Sequence, residues 1–469
     1  MTSSERTQGI AALAEQIRRR DVSSVELTET ALGAIHKEND RLNAFITVYD
    51  DEALAEAREA DRRIAAGDHR GALDGIPIGV KDNLYMRGRR TTMGSKIHGQ
   101  FVPDYTATAV ERLVSVGAVV VGKTNMHEYA LGATTDNPYY GTCRNPWDVN
   151  RIPGGSSGGS ATAVAAEIVM GALGSDTSGS IRIPASMCGV VGLKPTYGRV
   201  SRYGCFPEAW TLDHVGPIAA SVSDASILLD AVSGWDPKDP STLARPATRT
   251  FESLRPDLTG YVIGVERDFY FADVDDEISA LVTAAIDRLS ELGATVQPVR
   301  IDGLHDGIYA ITVIDTAETT TVHQQSLRDR PDDYGSEVRF LLECGALPSA
   351  VDYLTAQQVR GRLREQVKTT FREVDALVAP TTSLKVPEIG EEFTTVNGAE
   401  VEVIANLIRL VGTANLLGLP SLTLPCGLAS GMPAGLQVIG RPLGEQDVLN
   451  IGLAFEQTDP LQGARPPAH

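Results

Sequence analysis

Two glycine- and serine-rich turns lie within an otherwise apolar part of the chain. The first is residues 154–160, GGSSGGS, and the second is residues 176–182, DTSGSIR. Residues 160–173 are rich in alanine and valine and contain no proline, which predicts a buried helix whose N-terminus faces the first turn. The dipole of such a helix favours negative charge at that turn. The pattern predicts an α/β protein in which a buried helix backs a serine-bearing loop.

The rest of the chain alternates helical and strand-like patterns. Residues 10–63 carry apolar side chains at helical spacing, with a break and a predicted N-cap at 21–24. Residues 118–121 predict a buried strand, and residues 262–296 predict a β-α-β unit. A long charged helix is predicted at 352–371. Strand character returns at 376–379, 421–424 and 436–439, and a C-terminal helix follows.

These patterns divide residues 1–469 into four parts. They are an N-terminal helical layer at 1–70, a core at 75–235, an inserted α/β subdomain at 237–382, and a return to the core sheet with the C-terminal helix at 383–469. A chain of this length can form one large α/β domain or two smaller ones, and either arrangement buries a large core.

Composition excludes several classes of protein. A formal net charge of -19 without a basic block argues against nucleic-acid binding, and no apolar run is long enough to span a membrane. The five scattered cysteines have no disulfide or zinc spacing, so we expect no metal. The polar residues 1–6 lead into a helical pattern rather than an apolar signal core, which predicts a cytoplasmic protein.

Lys81, Ser156 and Ser180 are the residues with the clearest chemical potential. A serine hydroxyl needs a nearby base to become a nucleophile, and the surrounding sequence offers a lysine for that task. The apolar residues 76–80 would carry Lys81 into the interior, where burial favours its neutral form. The alternatives are a surface lysine or an ion pair with Asp82 for Lys81, and a helix cap for Ser180.

Residues 154–158 also fit the G-x-S-x-G pattern of a nucleophile elbow, with Asp213 and His214 as candidate partners. That elbow requires a strand directly before the serine, whereas residues 148–153 are polar and end in proline. We therefore disfavour it. His127 could line a substrate channel, although a packed histidine is the more common role. Neither it nor His214 or His323 has the spacing of a metal ligand.

The chain resembles the amidase signature family of serine hydrolases. The resemblance is carried by residues 75–83 (GIPIGVKDN), 122–125 (GKTN), 154–160 (GGSSGGS), 177–184 (TSGSIRIP) and 189–196 (GVVGLKPT). The order and spacing agree as well, with 75 residues from Lys81 to Ser156 and 24 from Ser156 to Ser180. The resemblance implies a single α/β domain over residues 1–469 with the amidase signature fold, a large mixed β-sheet core covered by α-helices on both faces.

The resemblance also implies roles for the residues. Ser180 would be the nucleophile, Lys81 the base, and Ser156 the bridge between them after a cis peptide bond. The backbone of Thr177, Ser178, Gly179 and Ser180 would form the oxyanion hole, and Ser178 departs from the glycine that is usual there. No cofactor is implied. The residues nominated to line the substrate are Met126, Gly155, Phe206, Trp210 and Tyr309.

The function that this resemblance implies is hydrolysis of a small amide through an acyl-enzyme by a Ser-Ser-Lys triad. We expect a stand-alone amidase without nucleic-acid or membrane partners, and a homodimer stays open. The alternative is the A subunit of a tRNA-dependent amidotransferase, which typically carries an Arg-Tyr-Asp-Gly stretch where this chain has residues 315–323, DTAETTTVH. Hydrazides and urea-like compounds such as biuret or allophanate are further alternatives as substrates.

Overall fold

The computed structural model describes residues 9–467, and this part of the chain forms one large sheet and one small hairpin. Residues 1–8 of the predicted N-terminal layer, with the polar start of the chain, lie outside the described residues. The strands are β1 (Phe45–Val48), β2 (Pro77–Lys81), β3 (Val119–Thr124), β4 (Gly171–Asp176), β5 (Val191–Lys194), β6 (His214–Ala219), β7 (Val262–Val265), β8 (Thr295–Pro298), β9 (Ala376–Pro380), β10 (Phe393–Val396), β11 (Ala399–Glu402), β12 (Ser421–Ala429) and β13 (Met432–Gly440).

The large sheet has eleven strands in the order β1-β3-β2-β4-β6-β5-β12-β13-β9-β7-β8, while β10 and β11 pair only with each other. The sheet is mixed. Strands β3, β2 and β4 run parallel to one another, as do β9, β7 and β8, and the strands between these two groups pair antiparallel. The predicted mixed sheet core is confirmed.

Helices surround the sheet. They are α1 (Ile10–Arg19), α2 (Ser24–Leu42), α3 (Asp50–Ala65), α4 (Thr108–Ser115), α5 (Gly158–Ala165), α6 (Arg182–Cys188), α7 (Val222–Val232), α8 (Arg267–Tyr270), α9 (Asp276–Glu291), α10 (Leu304–Asp329), α11 (Ser336–Cys344), α12 (Ala350–Thr370), α13 (Val403–Arg409), α14 (Gly412–Leu417) and α15 (Glu445–Glu456). Three short 3-10 helices lie at Glu128–Ala130, Phe251–Ser253 and Pro331–Asp333.

Both faces of the sheet are buried. Along β3, Val119 and Val121 belong to one hydrophobic cluster and Val120 to another, because successive side chains of a strand point to opposite faces. A strand buried on both faces can be continuously apolar, which is why this segment contains three successive valines. Helices therefore cover both faces of the sheet.

The helix predicted at 160–173 is wrong at its C-terminal end. The helix α5 ends at Ala165, and Glu167 has a left-handed φ of 56°. Residues Gly171–Asp176 form β4, which pairs with β2 on one side and β6 on the other. Small apolar residues suit a buried strand as well as a buried helix, so composition alone did not separate the two.

The predicted β-α-β unit at 262–296 forms as β7, α9 and β8, with the two strands parallel. These strands join the large sheet through β9. The boundaries of the four predicted parts of the chain stay a prediction. In the described part of the chain, no helix combines the length and apolar character needed to cross a membrane.

The sheet brings two functional segments to one edge. Because β2 and β4 are parallel neighbours, their carboxyl ends meet at the same side of the sheet. Lys81 is the last residue of β2, and Asp176 is the last residue of β4. The two glycine-rich turns gather around this edge.

Candidate active site

Lys81 lies fully buried at the end of β2 and is held by two serines. Its Nζ donates to Ser156 Oγ at 2.7 Å and to Ser175 Oγ at 2.8 Å, and Asn83 Nδ2 donates to the same Ser175 Oγ at 2.9 Å. Asp82 pairs instead with Lys123, at 3.5 Å. The structure therefore does not support the alternative of an ion pair between Lys81 and Asp82.

The environment of Lys81 favours loss of its proton. Burial lowers the pKa of Lys81 from its ordinary value of 10.5 to about 8, against the opposing effect of nearby acidic groups, first among them Glu208. A lysine with this pKa is neutral in a substantial fraction of molecules at mildly alkaline pH. Its amine can then accept a proton from Ser156 Oγ.

The loop that carries Ser156 is fixed by a threonine. The peptide bond between Gly155 and Ser156 is cis. Thr135 Oγ1 donates to the carbonyl of Gly154 at 2.9 Å and accepts the N–H of Gly158 at 3.1 Å, so it bridges the loop on both sides of Ser156. Sequence reasoning missed Thr135, since nothing in its own neighbourhood points to this contact 19 to 23 residues away.

The second turn is organised by Asp176. Its Oδ1 accepts the N–H of Gly179 at 2.8 Å, and its Oδ2 accepts the N–H of Ile181 at 3.1 Å. Gly179 has a φ of 126°, and a Cβ there would lie 2.3 Å from Val411 Cγ2, so the turn requires glycine at this position. The carboxylate of Asp176 therefore fixes the conformation of this turn through two backbone hydrogen bonds.

This geometry bears on the predicted oxyanion donors, whose role stays a prediction. The N–H of Gly179 is already used by Asp176. The N–H groups of Thr177, Ser178 and Ser180 make no hydrogen bond to another residue within 9–467, so they are free to donate to a bound group.

The two turns contact each other directly. Ser157 N–H donates to the carbonyl of Ser180 at 3.1 Å, which joins the loop of Ser156 to the turn of Ser180. The side chain of Ser180 remains 7% exposed, whereas Ser156 is fully buried. Lys81 and Ser156 are thus both fully buried beside the turn of Ser180, and Ser180 is the most exposed of the three.

Arg182 anchors this site to the rest of the core. Its guanidinium contacts both oxygens of Asp176 at 3.1 Å and donates to Gln437 Oε1 at 2.7 Å and to the carbonyl of Val411 at 2.9 Å. Burial alone would raise the pKa of Asp176, but the Arg182 guanidinium holds it well below its ordinary value. Arg182 therefore contacts one backbone carbonyl, but its main partner is the carboxylate of Asp176.

Three further carboxyl groups face the turn of Ser180. Thr177 Oγ1 lies 2.7 Å from both Glu208 Oε2 and Asp213 Oδ1, and Ser178 Oγ donates to Asp315 Oδ2 at 2.6 Å. Sequence reasoning missed Glu208 and Asp315. The departure at Ser178 was the available signal for Asp315, because an extra hydroxyl beside the turn requires a partner.

The residues nominated to line the substrate have different positions. Met126 is fully buried, and Phe206 packs on Tyr129 with ring centroids 5.3 Å apart. Trp210 and Tyr309 are 40% and 44% exposed. Their contribution to a substrate wall, like that of Gly155, stays a prediction.

The histidines have structural environments. His214 Nδ1 lies 2.6 Å from the carbonyl of Leu212, and its Nε2 lies 3.2 Å from Lys194 Nζ, so both ring nitrogens are occupied. Burial lowers the pKa of His127 to about 4. Ser156 contacts Lys81, and the residues before it form no strand, so the nucleophile elbow is not present. Among residues 9–467, no three His, Cys, Asp or Glu side chains are grouped to hold a metal ion.

Comparison with known proteins defines the family. The model of the Amidase family matches residues 26–449. The chain is 41% identical to the A subunit of the glutamyl-tRNA(Gln) amidotransferase of Acaryochloris marina, over 97% of this chain and 99% of the relative. The chain therefore belongs to the amidase signature family, whose members cleave amide-type carbon–nitrogen bonds.

Two solved structures extend the comparison. A structure described as a vestigial protein complex that reveals the origins of an s-triazine catabolic enzyme matches with a TM-score of 0.93 and 36% identity, covering 98% of this chain and all of that one. The A subunit of the glutamyl-tRNA(Gln) amidotransferase of Thermotoga maritima matches with a TM-score of 0.80 and 32% identity, covering 96% and 95%. The amidase signature fold is confirmed.

These relatives contradict two predictions. The preference for a stand-alone small-molecule amidase is wrong, because the relatives are named as subunits of a tRNA-dependent enzyme across nearly their full length. The prediction of no nucleic-acid partner is wrong for the same reason. Net charge excludes only binding through a basic face of this chain, whereas one chain of a complex can serve a nucleic acid held by other chains.

Proposed function

We propose that this chain is the amide-cleaving A subunit of a glutamyl-tRNA(Gln) amidotransferase, with Ser180 as its nucleophile. The observation that carries the proposal is 41% identity to a relative named as an A subunit, over 97% of the chain. The buried contact of Lys81 with Ser156 at 2.7 Å, beside the turn of Ser180, supports the chemistry.

The reaction begins with proton removal. Neutral Lys81 accepts the proton of Ser156 Oγ, Ser156 accepts the proton of Ser180 Oγ, and Ser180 Oγ forms a bond to the carbonyl carbon of the amide donor. The free N–H groups of Thr177, Ser178 and Ser180 stabilise the oxyanion that develops. Rate should rise as the pH passes the pKa of Lys81, about 8, since the neutral amine is the active form.

The second half of the reaction releases the amine. The proton returns from Lys81 through Ser156 to the leaving nitrogen, the carbon–nitrogen bond breaks, and a primary amide releases ammonia. Water then attacks the carbonyl carbon of the acyl-enzyme while Ser156 and Lys81 accept its proton. The bond from that carbon to Ser180 Oγ breaks, the proton returns through Ser156 to Ser180 Oγ, and the carboxylic acid product leaves. Ammonia is the product that an amidotransferase adds to glutamyl-tRNA.

The net charge of this chain bears on which subunit binds the tRNA. A chain with a formal net charge of -19 is poorly suited to hold a tRNA by itself, since like charges repel. In this proposal the tRNA is held by partner chains, and this chain supplies ammonia.

The test is tRNA amidation by the chain assembled with partner chains of an amidotransferase. With glutamine as donor, the assembly should form glutaminyl-tRNA, and Ser180→Ala should abolish this. Ammonium chloride should restore amidation in Ser180→Ala, because it bypasses the amide-cleaving site. Ser186→Ala is the matched control, since this serine is buried and its Oγ has no hydrogen-bond partner in the described part of the chain.

The proposal fails if the wild-type assembly forms no glutaminyl-tRNA from either donor. It also fails in its choice of nucleophile if Ser180→Ala still amidates tRNA with glutamine alone.

A further inference from the structure

Glu208, Asp213 and Asp315 crowd the segment Thr177–Ser178 that precedes Ser180. Glu208 and Asp213 both contact Thr177, and Asp315 contacts Ser178. Glu208 and Asp213 are 5% and 6% exposed. Like charges this close disfavour each other, so a buried group of this kind holds at least one proton.

Counting hydrogen-bond protons locates that proton. Thr177 Oγ1 lies 2.7 Å from Glu208 Oε2 and 2.7 Å from Asp213 Oδ1. A threonine hydroxyl has a single proton to donate. It can satisfy one of the two contacts, and the other contact needs a proton that belongs to a carboxyl group.

The remaining partners distinguish the two carboxyl groups. Asp213 Oδ1 accepts the N–H of Ala209 at 3.0 Å, and its Oδ2 accepts the N–H of Glu208 at 3.1 Å. Backbone donors stabilise the ionised form of Asp213. The Glu208 carboxyl receives no hydrogen bond from any residue within 9–467 other than Thr177. Asp213 is therefore the better anion and Glu208 the better acid.

We propose that Glu208 is a neutral carboxylic acid that donates to Thr177 Oγ1, which in turn donates to Asp213, and that Glu208 is a positioning residue for the amide-cleaving site. The proton stays on Glu208 Oε2 and is not consumed. The inference rests on the proposed function only in taking Ser180 as the nucleophile.

Two consequences follow for the site. The chain from Glu208 through Thr177 to Asp213 fixes the first residue of the turn that carries the oxyanion donors. A neutral Glu208 also removes an anion that would stabilise charged Lys81 and so keep the base protonated.

Burial, followed by the charges of Asp315 and Asp213, raises the pKa of Glu208 well above its ordinary value. The titratable groups that face Glu208 are Lys81, Cys205, Asp213 and Asp315, and Arg202 acts on Asp213 from the same side. Burial also raises the pKa of Asp315, to about 7.

Infrared spectroscopy of the whole chain tests the proton directly. At neutral pH, the difference between wild type and Glu208→Gln should contain the carbonyl band of a neutral carboxylic acid. Glu111→Gln is the matched control, because that exposed glutamate pairs with Lys238 and should contribute no such band. If wild type and Glu208→Gln have the same neutral-carboxyl absorption, the proposal is overturned.

The kinetic test uses an alkyl fluorophosphonate, which labels an activated serine and needs neither tRNA nor partner chains. Glu208→Gln retains a neutral donor, so its labelling rate should stay within about twofold of wild type at every pH. Glu208→Met lacks the donor and should label about tenfold more slowly, the equivalent of one hydrogen bond.

A Glu208→Gln profile whose acid limb moves to lower pH would mean that Glu208 is ionised in the wild type, and would overturn the proposal. If Glu208→Met does not fold, the infrared band and the Glu208→Gln profile still decide. Failure of tRNA amidation would overturn the proposed function and leave both readouts unaffected.

Discussion

Lys81→Met should abolish amide cleavage and, at neutral pH, make the folded chain more stable. Methionine has nearly the length of lysine and carries no charge. Lys81 is fully buried, and burial lowers its pKa from 10.5 to about 8, so at pH 7 the fold still contains a charged amine in an unfavourable position. The variant removes that charge and leaves the surrounding backbone unchanged.

The size of the effect follows from the pKa. At about 1.4 kcal/mol for each tenfold change in proton affinity, the fall to about 8 corresponds to about 3 kcal/mol against folding. The variant also takes a hydrogen-bond donor from Ser156 and from Ser175, at about 1 kcal/mol for a typical hydrogen bond. Ser175 keeps Asn83 as a donor. The free energy of unfolding should therefore rise by about 1 to 2 kcal/mol.

The pH dependence of the free energy of unfolding distinguishes removal of the buried charge from a change in side-chain packing. Between the two pKa values the unfolded chain binds more protons than the folded chain, so wild-type stability rises with pH in the window from about 8 to 10.5. The variant has no such rise. Its advantage should shrink by about 1 kcal/mol between pH 7 and pH 9.

Urea unfolding followed by circular dichroism at pH 7 and pH 9 measures the difference in the free energy of unfolding between Lys81→Met and wild type. The control is Lys238→Met: that lysine is half-exposed, so the variant should gain no stability that depends on pH. A gap that does not change with pH, or a variant less stable than wild type at both, would refute the reasoning.

Three further substitutions test the turn and its support. Asp176→Asn leaves the buried Arg182 without a carboxylate and should lower the free energy of unfolding by about 3 to 5 kcal/mol in urea titrations, and a loss under about 1 kcal/mol would contradict the anchoring role. Gly179→Ala places a Cβ against Val411 at a backbone φ of 126° and should abolish fluorophosphonate labelling. The control Gly361→Ala, where a Cβ would meet open space, should label at the wild-type rate. Equal labelling of the two variants would disprove the requirement for glycine at position 179. Ser175→Ala removes one of the two hydrogen bonds that hold Lys81 and should slow fluorophosphonate labelling about tenfold. An unchanged labelling rate would show that this hydrogen bond does not position Lys81.

Short sequence patterns predicted the helices and strands that are determined by neighbouring residues. The helix α2 begins where Ser23 accepts the N–H of Glu26 and the Glu26 side chain accepts the N–H of Ser23, a reciprocal cap readable from four residues. The strand β3 was predicted from its valines, and α9 from its amphipathic spacing and the glycine at position 293 that follows it. In each case the determining residues lie within the element itself or directly beside it.

Long-range contacts escaped the same reasoning. Asp315 reaches Ser178 across 137 positions of sequence, and Glu208 reaches Thr177 across 31. The end of α5 at Ala165 depends on how the following residues pair with β2 and β6, which composition does not encode. Positions that are set by tertiary pairing have no signature in a short window.

The error about partners has a different origin. The preference for a stand-alone enzyme depended on one short stretch, residues 315–323, which lacks the Arg-Tyr-Asp-Gly of A subunits. Asp315 in this stretch bonds Ser178, so the stretch contributes to the turn that carries Ser180. A difference in residues 315–323 concerns the surroundings of one site. The 41% identity to an A subunit extends over 97% of the chain and is therefore the stronger evidence about partners.

The site has opposite protonation requirements at two buried groups. In our proposals, Lys81 must lose its proton to accept one from Ser156, while Glu208 must keep its own. Moving one proton from Lys81 to an ionised Glu208 replaces a buried ion pair by two neutral groups at the same net charge. Burial of both groups favours the neutral pair, and the anion of Asp213 beside Glu208 favours it further. The acid limb of amide cleavage should then report the titration of Lys81, whose pKa burial lowers, rather than the titration of the carboxyl groups around it.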